Sequence, residues 1–199
     1  LAVGLEGTFW ANRYRGGLSR FDGKSWKYFT EADGLPSQYV RPLVVEPDNT
    51  LWAVAARKIY SFDGKTWRIW TADDGLADLS DSSLLKILVG PDGAVWCSIP
   101  GGVSRFDGVR WNTYVQNDSL KTEPITSFAI GSDGSMWLGS GKGAYRFDGS
   151  RWTHYTPADG LADIRVNSIT IDLSGAVWFG TSQGISRFVP DTVATIKEE

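Results

Sequence analysis

Cysteine, histidine and methionine each occur once in this 199-residue chain, as Cys97, His154 and Met136. A single cysteine excludes an internal disulfide and says little about compartment. A single histidine, with no cysteine near it in sequence, leaves no spacing for a zinc site or a Cys–His pair. Cys97 follows Trp96 in a strand-like run, where a free thiol usually behaves as a small buried hydrophobe. There is no Lys/Arg-rich run and the net charge is −3. That removes the basic field a nucleic-acid partner requires. No apolar stretch approaches the roughly 20 residues of a membrane span, so direct membrane insertion of this segment is not expected. No signal peptide is recognisable, and the start at Leu1 rather than Met fits its removal by processing or excision. Helical periodicity is also missing.

What the chain has in abundance is tryptophan, at ten, and glycine, at 23. The tryptophans are periodic. One series runs Trp10, Trp52, Trp96, Trp137, Trp178, with gaps of 42, 44, 41 and 41 residues. A second runs Trp26, Trp67, Trp111, Trp152, with gaps of 41, 44 and 41. Between them recurs a Phe-Asp-Gly phrase, at Phe21, Phe62, Phe106 and Phe147; the fifth copy reads Phe188-Val189-Pro190. An Asp-Gly-Leu phrase begins at Asp33, Asp74 and Asp159, and reads Asp-Ser-Leu at Asp118. Three phrases in one phase define five tandem repeats, approximately 1–35, 36–76, 77–120, 121–161 and 162–199, in a single domain.

Each repeat carries four strand signals. The first is a short apolar run, such as Leu43–Val45 or Ile169–Ile171. The second carries the Trp, as in Val177-Trp178-Phe179. A Gly-containing loop leads to the third, as in Gly184–Phe188, and Phe-Asp-Gly turns the chain into the fourth, as in Trp152–Tyr155. Asp-Gly supplies the positive φ that hairpin turns need. Four antiparallel strands per forty-odd residues make a propeller blade, so the predicted fold is an all-β propeller of five four-stranded blades. Large residues on both faces of the strands fit blades packed on two neighbours. Thr192–Ile196 is expected as the last fourth strand. The near-whole number of repeats favours a closed five-blade ring over a piece of a larger propeller.

The order of these phrases resembles the two-component regulator propeller repeat. Gly34-Leu35-Pro36-Ser37-Gln38-Tyr39-Val40, running on to Leu51-Trp52, matches it. So does Gly160-Leu161, continuing through Asp172, Gly175 and Val177–Thr181 to Gly184–Phe188. Where the family often has Asn this chain has Gln38 and Ile164. Where it has Asp before the first turn, the third and fourth repeats have Gly90 and Gly131. The resemblance implies an extracytoplasmic, periplasmic or secreted, sensor propeller of the kind found in bacterial hybrid histidine kinases. It brings no catalytic residues. A more distant resemblance to antibiotic-lyase propellers would require a histidine and acidic groups around magnesium, which the lone His154 in an outer strand does not suit.

The Trp10 series alternates with aliphatic residues and reads as core, with a ligand-stacking platform as the alternative. The Trp26 series lies in outermost strands, where half-exposed rings leave room for a lectin-like role. The Arg preceding Phe-Asp-Gly (Arg20, Arg105, Arg146, Arg187, but Ser61 in one copy) reads as structural, pairing with a turn carboxylate. The Asp-Gly turns lack the closely spaced oxygens of a calcium loop. No cofactor, metal or catalytic residue is expected.

In a propeller the second-to-third and fourth-to-first loops share one face, and here they are the irregular parts. The second-to-third loops offer Asn12, Arg13, Tyr14 and Arg15, then Arg57 and Lys58, Lys142, and Gln183. The fourth-to-first loops offer Gln38 and Tyr39, then Asp78, Asp81 and Ser82, Lys121, and Asp163 and Arg165. Variable loops on a rigid scaffold are where binding concentrates, although a solvated loop face is the plainer reading. Cationic loops suit an anionic or polyhydroxylated ligand. In an extended loop Arg13 and Arg15 would project to one side and Tyr14 to the other. The expected function is a non-catalytic ligand-sensing or protein-interaction module. Its partner would be a small molecule, glycan or protein on the loop face. A carbohydrate-binding propeller is the alternative, and a structural assembly unit comes third.

Overall fold

The structure is a computed structural model that describes residues 1–4, 7–13, 16–77, 79, 86–115, 124–189 and 196–197. It is all-β and contains five antiparallel sheets of consecutive strands. The first sheet holds β1 (Ala2–Val3), β2 (Phe9–Asn12), β3 (Leu18–Phe21) and β4 (Trp26–Phe29). The second holds β5 (Arg41–Val45), β6 (Leu51–Ala55), β7 (Lys58–Phe62) and β8 (Trp67–Trp70). The third holds β9 (Ile87–Val89), β10 (Val95–Ile99), β11 (Gly102–Phe106) and β12 (Trp111–Val115). The fourth holds β13 (Ser127–Ile130), β14 (Met136–Ser140), β15 (Gly143–Phe147) and β16 (Trp152–Tyr155). The fifth holds β17 (Val166–Ile171), β18 (Val177–Thr181) and β19 (Gly184–Phe188), with only the two-residue β20 (Ile196–Lys197) in fourth place. Most of the expected last strand, residues 192–195, lies outside the described residues. None of the five sheets is closed.

The repeated phrases are turn chemistry. In Phe-Asp-Gly, the Asp22 carboxylate accepts the backbone N–H groups of Lys24 at 2.9 Å and Ser25 at 2.8 Å. Asp63, Asp107 and Asp148 repeat this with the residues two and three positions on. These bonds favour the ionised carboxylate. Asp107, held by the N–H groups of Arg110 and Val109 and by the Asn112 amide, falls to about 2. In Asp-Gly-Leu, Asp33 accepts both the backbone N–H and the hydroxyl of Thr30 at 2.9 Å, which closes a short 3₁₀ turn over Glu31–Asp33. Gly34 then takes a left-handed conformation and Leu35 drops into the core. Thr71–Leu76 and Thr156–Leu161 copy the arrangement. The Asp118 copy lies outside the described residues.

The chain divides into two compact units. One comprises Leu1–Val89, Gly93–Cys97 and Ser104–Thr113; the other comprises Gly90–Asp92, Ser98–Val103 and Tyr114–Glu199. Within each unit the packing follows one rule. The Trp of one sheet meets the Phe-Asp-Gly phenylalanine of the next, with ring centroids 5.8 Å apart for Trp10–Phe62, 5.3 Å for Trp52–Phe106 and 5.2 Å for Trp137–Phe188. A third ring, from the end of the fourth strand, completes each cluster: Phe29, Trp70 and Tyr155. Burying such a side chain stabilises by roughly 1.5–3 kcal/mol.

The core reading thus holds for Trp10, Trp52, Trp96 and Trp137, all buried. Trp178 departs from it: the ring is only partly buried, and its indole N–H donates to Asp172 at 2.9 Å. The outer series departs in the other direction at one position. Trp26 is 51% exposed, Trp67 and Trp152 are half-buried, but Trp111 is 2% exposed. Trp111 is covered because it sits edge-on to Trp52, 5.4 Å away, and tilted against Phe106.

The repeated arginine has a further role beside the expected carboxylate pairing. Arg146 does pair with Asp133 at 3.1 Å. In addition, Arg20, Arg105, Arg146 and Arg187 lie over Trp10, Trp96, Trp137 and Trp178, their guanidinium carbons 5.4–5.7 Å from the ring centroids. Cation and ring face attract one another there. In the copy with Ser61, the hydroxyl instead accepts the Trp70 indole N–H at 3.0 Å. Arg68, directly opposite Ser61, covers Trp70 at 3.7 Å.

Candidate functional site

The first second-to-third loop is the irregular one. Strand pairing ends at Asn12 and Leu18, leaving the five residues 13–17 between them. The corresponding loops after β6, β14 and β18 hold two residues each. Gly17 has a positive φ, and a side chain there would meet the Phe29 carbonyl at 2.5 Å. Its N–H donates to the Gln38 carbonyl at 2.6 Å. This bond ties the second-to-third loop of the first sheet to the fourth-to-first loop that follows, so the two do share one face in this unit.

On that face Arg13 and Asn12 are exposed. The Arg13 guanidinium lies 4.8 Å from the centroid of the Tyr28 ring, and the Arg13 N–H donates to the Gly17 carbonyl at 3.1 Å. Gln38 donates its backbone N–H to the Glu31 carboxylate at 3.2 Å. Tyr39 beside it is 77% exposed. Tyr14 and Arg15, the remainder of the sequence-derived cluster, lie outside the described residues, as do Asp78, Asp81, Ser82 and Lys121.

Arg57 belongs to the same unit but to a different turn. It is exposed, and both turn residues, Ala56 at φ 47° and Arg57 at φ 60°, are left-handed without being glycine. That conformation costs about 1–2 kcal/mol per non-glycine residue. Lys58 follows, exposed and paired with Ala55.

In the other unit, Lys142 and Gln183 are exposed on separate two-residue turns. The Lys142 backbone N–H donates to the Ser140 hydroxyl at 3.0 Å, and that of Gln183 to the Thr181 hydroxyl at 3.3 Å. The Ser182 N–H donates to the Arg165 carbonyl at 3.3 Å, joining loops of the same two kinds in this unit. His154 is an anchor for the Lys142 turn: Nε2 lies 2.7 Å from the Lys142 carbonyl, and the ring stacks on Tyr145 at 4.2 Å. A recess lined by Tyr155, Leu161, Arg187 and Phe188 has room of only about 20 Å³, which suits one water.

Asn12 and Arg13 thus stand at the start of the loop that Gly17 ties to Gln38, and the Arg13 guanidinium lies over Tyr28, which sequence reasoning missed. The signal was available: Tyr28 alternates with Trp26 on one face of β4, and both are exposed. Lys142 and Gln183 belong to the other unit. Among the described residues, no group of three or more His, Cys, Asp or Glu is placed to hold a metal ion. None of their helices is long and apolar enough to cross a membrane.

No family model matches the chain, and no curated protein matches it. Solved structures do. The extracellular domain of the one component system BT4673 from B. thetaiotaomicron aligns at TM-score 0.69 and 19% identity, over 96% of this chain and 27% of that one. The extracellular domain of the hybrid two component system BT3049 from the same organism aligns at TM-score 0.70 and 17% identity, over 94% and 27%. Virginiamycin B lyase from Staphylococcus aureus, in a catalytically inactive His-to-Ala variant with quinupristin, aligns at TM-score 0.71 and 16% identity, over 96% and 66%. The chain thus spans about a quarter of the sensor domains it matches. These likenesses show the β-propeller fold, which is shared by extracellular sensor domains and by an enzyme.

Proposed function

We propose that this chain is a non-catalytic, extracytoplasmic sensing or interaction module whose ligand meets the loop face of the first sheet, at Asn12, Arg13, Tyr28 and Gln38. One observation carries the reading. The repeated carboxylates of the described turns are engaged by their own backbone N–H groups, whereas the 13–17 loop departs from the repeat and presents a guanidinium on an exposed tyrosine. Arg donates paired hydrogen bonds and Tyr offers a stacking face, so the ligand class is anionic or polyhydroxylated. A lyase reading draws support from the fold alone. His154 does not favour it, because its Nε2 is taken up by the Lys142 carbonyl.

Thermal-shift screening against small anions and sugars tests the proposal, followed by calorimetry on Arg13→Ala and Tyr28→Ala. Loss of affinity by tenfold or more with intact folding supports it; unchanged affinity removes the site. A lectin-like reading rests on exposed Trp26 and Tyr28. It would need equivalent aromatic sites between successive sheets, yet Trp111, the counterpart of Trp26, is buried. Glycan binding with several equivalent sites would reverse this ranking.

A further inference from the structure

The chain contains nine Asp-Gly pairs. In such a pair the glycine nitrogen can attack the aspartate side chain, because no Cβ on the glycine obstructs the approach. Two things hold the pair inert in a fold: a hydrogen bond that occupies the glycine N–H, and hydrogen bonds that fix the carboxylate.

In the Asp-Gly-Leu turns the glycine N–H is occupied. Gly34 donates to the Glu31 carbonyl at 3.0 Å, Gly75 to that of Ala72 at 2.9 Å and Gly160 to that of Pro157 at 3.2 Å. Gly134 likewise donates to the Gly131 carbonyl at 2.9 Å. In the Phe-Asp-Gly turns, no hydrogen bond holds the N–H of Gly23, Gly64, Gly108 or Gly149 among the described residues. Protection there rests on the carboxylate alone.

Asp22, Asp63 and Asp107 have both oxygens held. Backbone N–H groups take Oδ1. Oδ2 accepts the Ser25 hydroxyl at 3.1 Å, the Thr66 hydroxyl at 3.1 Å and the Asn112 amide at 2.9 Å, respectively. Asp148 differs. The N–H and hydroxyl of Ser150 and the N–H of Arg151 all converge on Oδ1 at 2.7–2.9 Å, and Oδ2 accepts no hydrogen bond among the described residues. The cause is local: the position that holds Ser25 or Thr66 in the first two copies holds Arg151 here.

We propose that Asp148-Gly149 is a self-modification site, where the aspartate closes to a succinimide and reopens as isoaspartate. Oδ2 takes a proton from solvent, which turns the carboxylate into an electrophile. The Gly149 nitrogen attacks Cγ: the nitrogen–Cγ bond forms, and Oδ2 leaves as water with the amide proton. Water then adds to the imide. Opening at Cγ restores aspartate. Opening at the Asp148 main-chain carbonyl breaks its bond to the Gly149 nitrogen, and the chain runs on through Cγ. Water is the only co-reactant. The product has a longer backbone between β15 and β16, inside the hairpin that sets Phe147 against Trp152 at 4.8 Å.

The test is to age the full chain at mildly acidic pH, label isoaspartate with an isoaspartyl methyltransferase and map the label by peptide mass spectrometry. Asp148 is expected to lead Asp22, Asp63 and Asp107 several-fold in the folded protein, and to lose that lead in urea, where every turn is open. Two variants exchange the deciding feature. Arg151→Thr supplies the hydroxyl that Thr66 gives Asp63, and should slow Asp148. Thr66→Val frees Oδ2 of Asp63, and should raise Asp63 to the rate of Asp148. Circular dichroism checks that both variants fold. Equal rates at Asp148 and Asp63 in the folded wild-type protein overturn the proposal. So does a lead for Asp148 that persists in urea, which would place its cause in the neighbouring residues rather than the turn. Folded variants that leave both rates unchanged overturn it as well, since Oδ2 would not be the deciding atom.

Discussion

Trp10 and Phe62 lie 52 positions apart in the chain, yet their rings meet nearly edge to face, with centroids 5.8 Å apart and an interplanar angle of 84°. The two residues come from the two commonest phrases of adjacent repeats, and Phe29 closes the cluster at 5.4 and 5.5 Å. A double-mutant cycle with Trp10→Leu and Phe62→Leu should give a coupling of about 0.5–1.5 kcal/mol, the range for such ring pairs. Urea denaturation of the four proteins measures it. Additive losses would mean that the two positions contribute only through separate burial.

The outer tryptophans should differ sharply despite their shared repeat position. Trp111→Ala removes a buried ring and is expected to cost about 3–5 kcal/mol. Trp26→Ala removes a half-exposed ring tilted against Phe21, and should cost less than about 1.5 kcal/mol. Chemical denaturation of both variants checks the contrast; equal losses would contradict the burial difference.

Acid should destabilise the fold in a defined window. Asp107 is lowered to about 2 by the N–H groups of Arg110 and Val109 and by Asn112. Asp172 is lowered to about 2 by the Ser174 hydroxyl and the Trp178 indole N–H, with backbone N–H groups of Ala176 and Ser174 adding to it. A carboxylate with a depressed folded-state value stabilises fully above its unfolded value of about 4 and loses that contribution as pH falls to about 2. Melting temperature should therefore be flat with respect to these groups above pH ~5 and fall between about 4 and 2. Asp107→Asn and Asp172→Asn together should flatten that fall; an unchanged slope would exonerate both turns.

The Ala56–Arg57 turn is left-handed at two positions that carry side chains. Replacing it by Asn-Gly, the preferred pair for such a turn, should stabilise the protein by about 1 kcal/mol. Thermal unfolding reads this directly. A drop in stability would show that the Arg57 side chain contributes more than its backbone strain removes.

Cys97 is fully buried, and burial pushes its thiol up. The native protein should be inert to a disulfide-exchange reagent at neutral pH and release one equivalent of chromophore on denaturation. Rapid reaction of the folded protein would mean that β10 opens locally.

Much of this fold was legible in the sequence, because the information is local and repeated. Asp-Gly at a fixed phase forces a turn, since glycine accepts the positive φ and the carboxylate caps the N–H groups behind it. The alternation around each Trp then assigns strand faces. Five such copies determined five sheets, their strand order, and turn roles for Asp22, Asp33, Asp63, Asp74, Asp107, Asp148 and Asp159. Tertiary structure decided what depends on neighbours distant in the chain. Burial of Trp111 and exposure of Trp26 follow from which sheet lies against each, not from the phrase they share. The placing of Arg13 on Tyr28 arose because Gly17 approaches Phe29 and donates to Gln38, contacts that no local pattern encodes. Partial exposure of Trp178 has the same origin: a repeat specifies the face it offers, and only packing decides whether that face is covered.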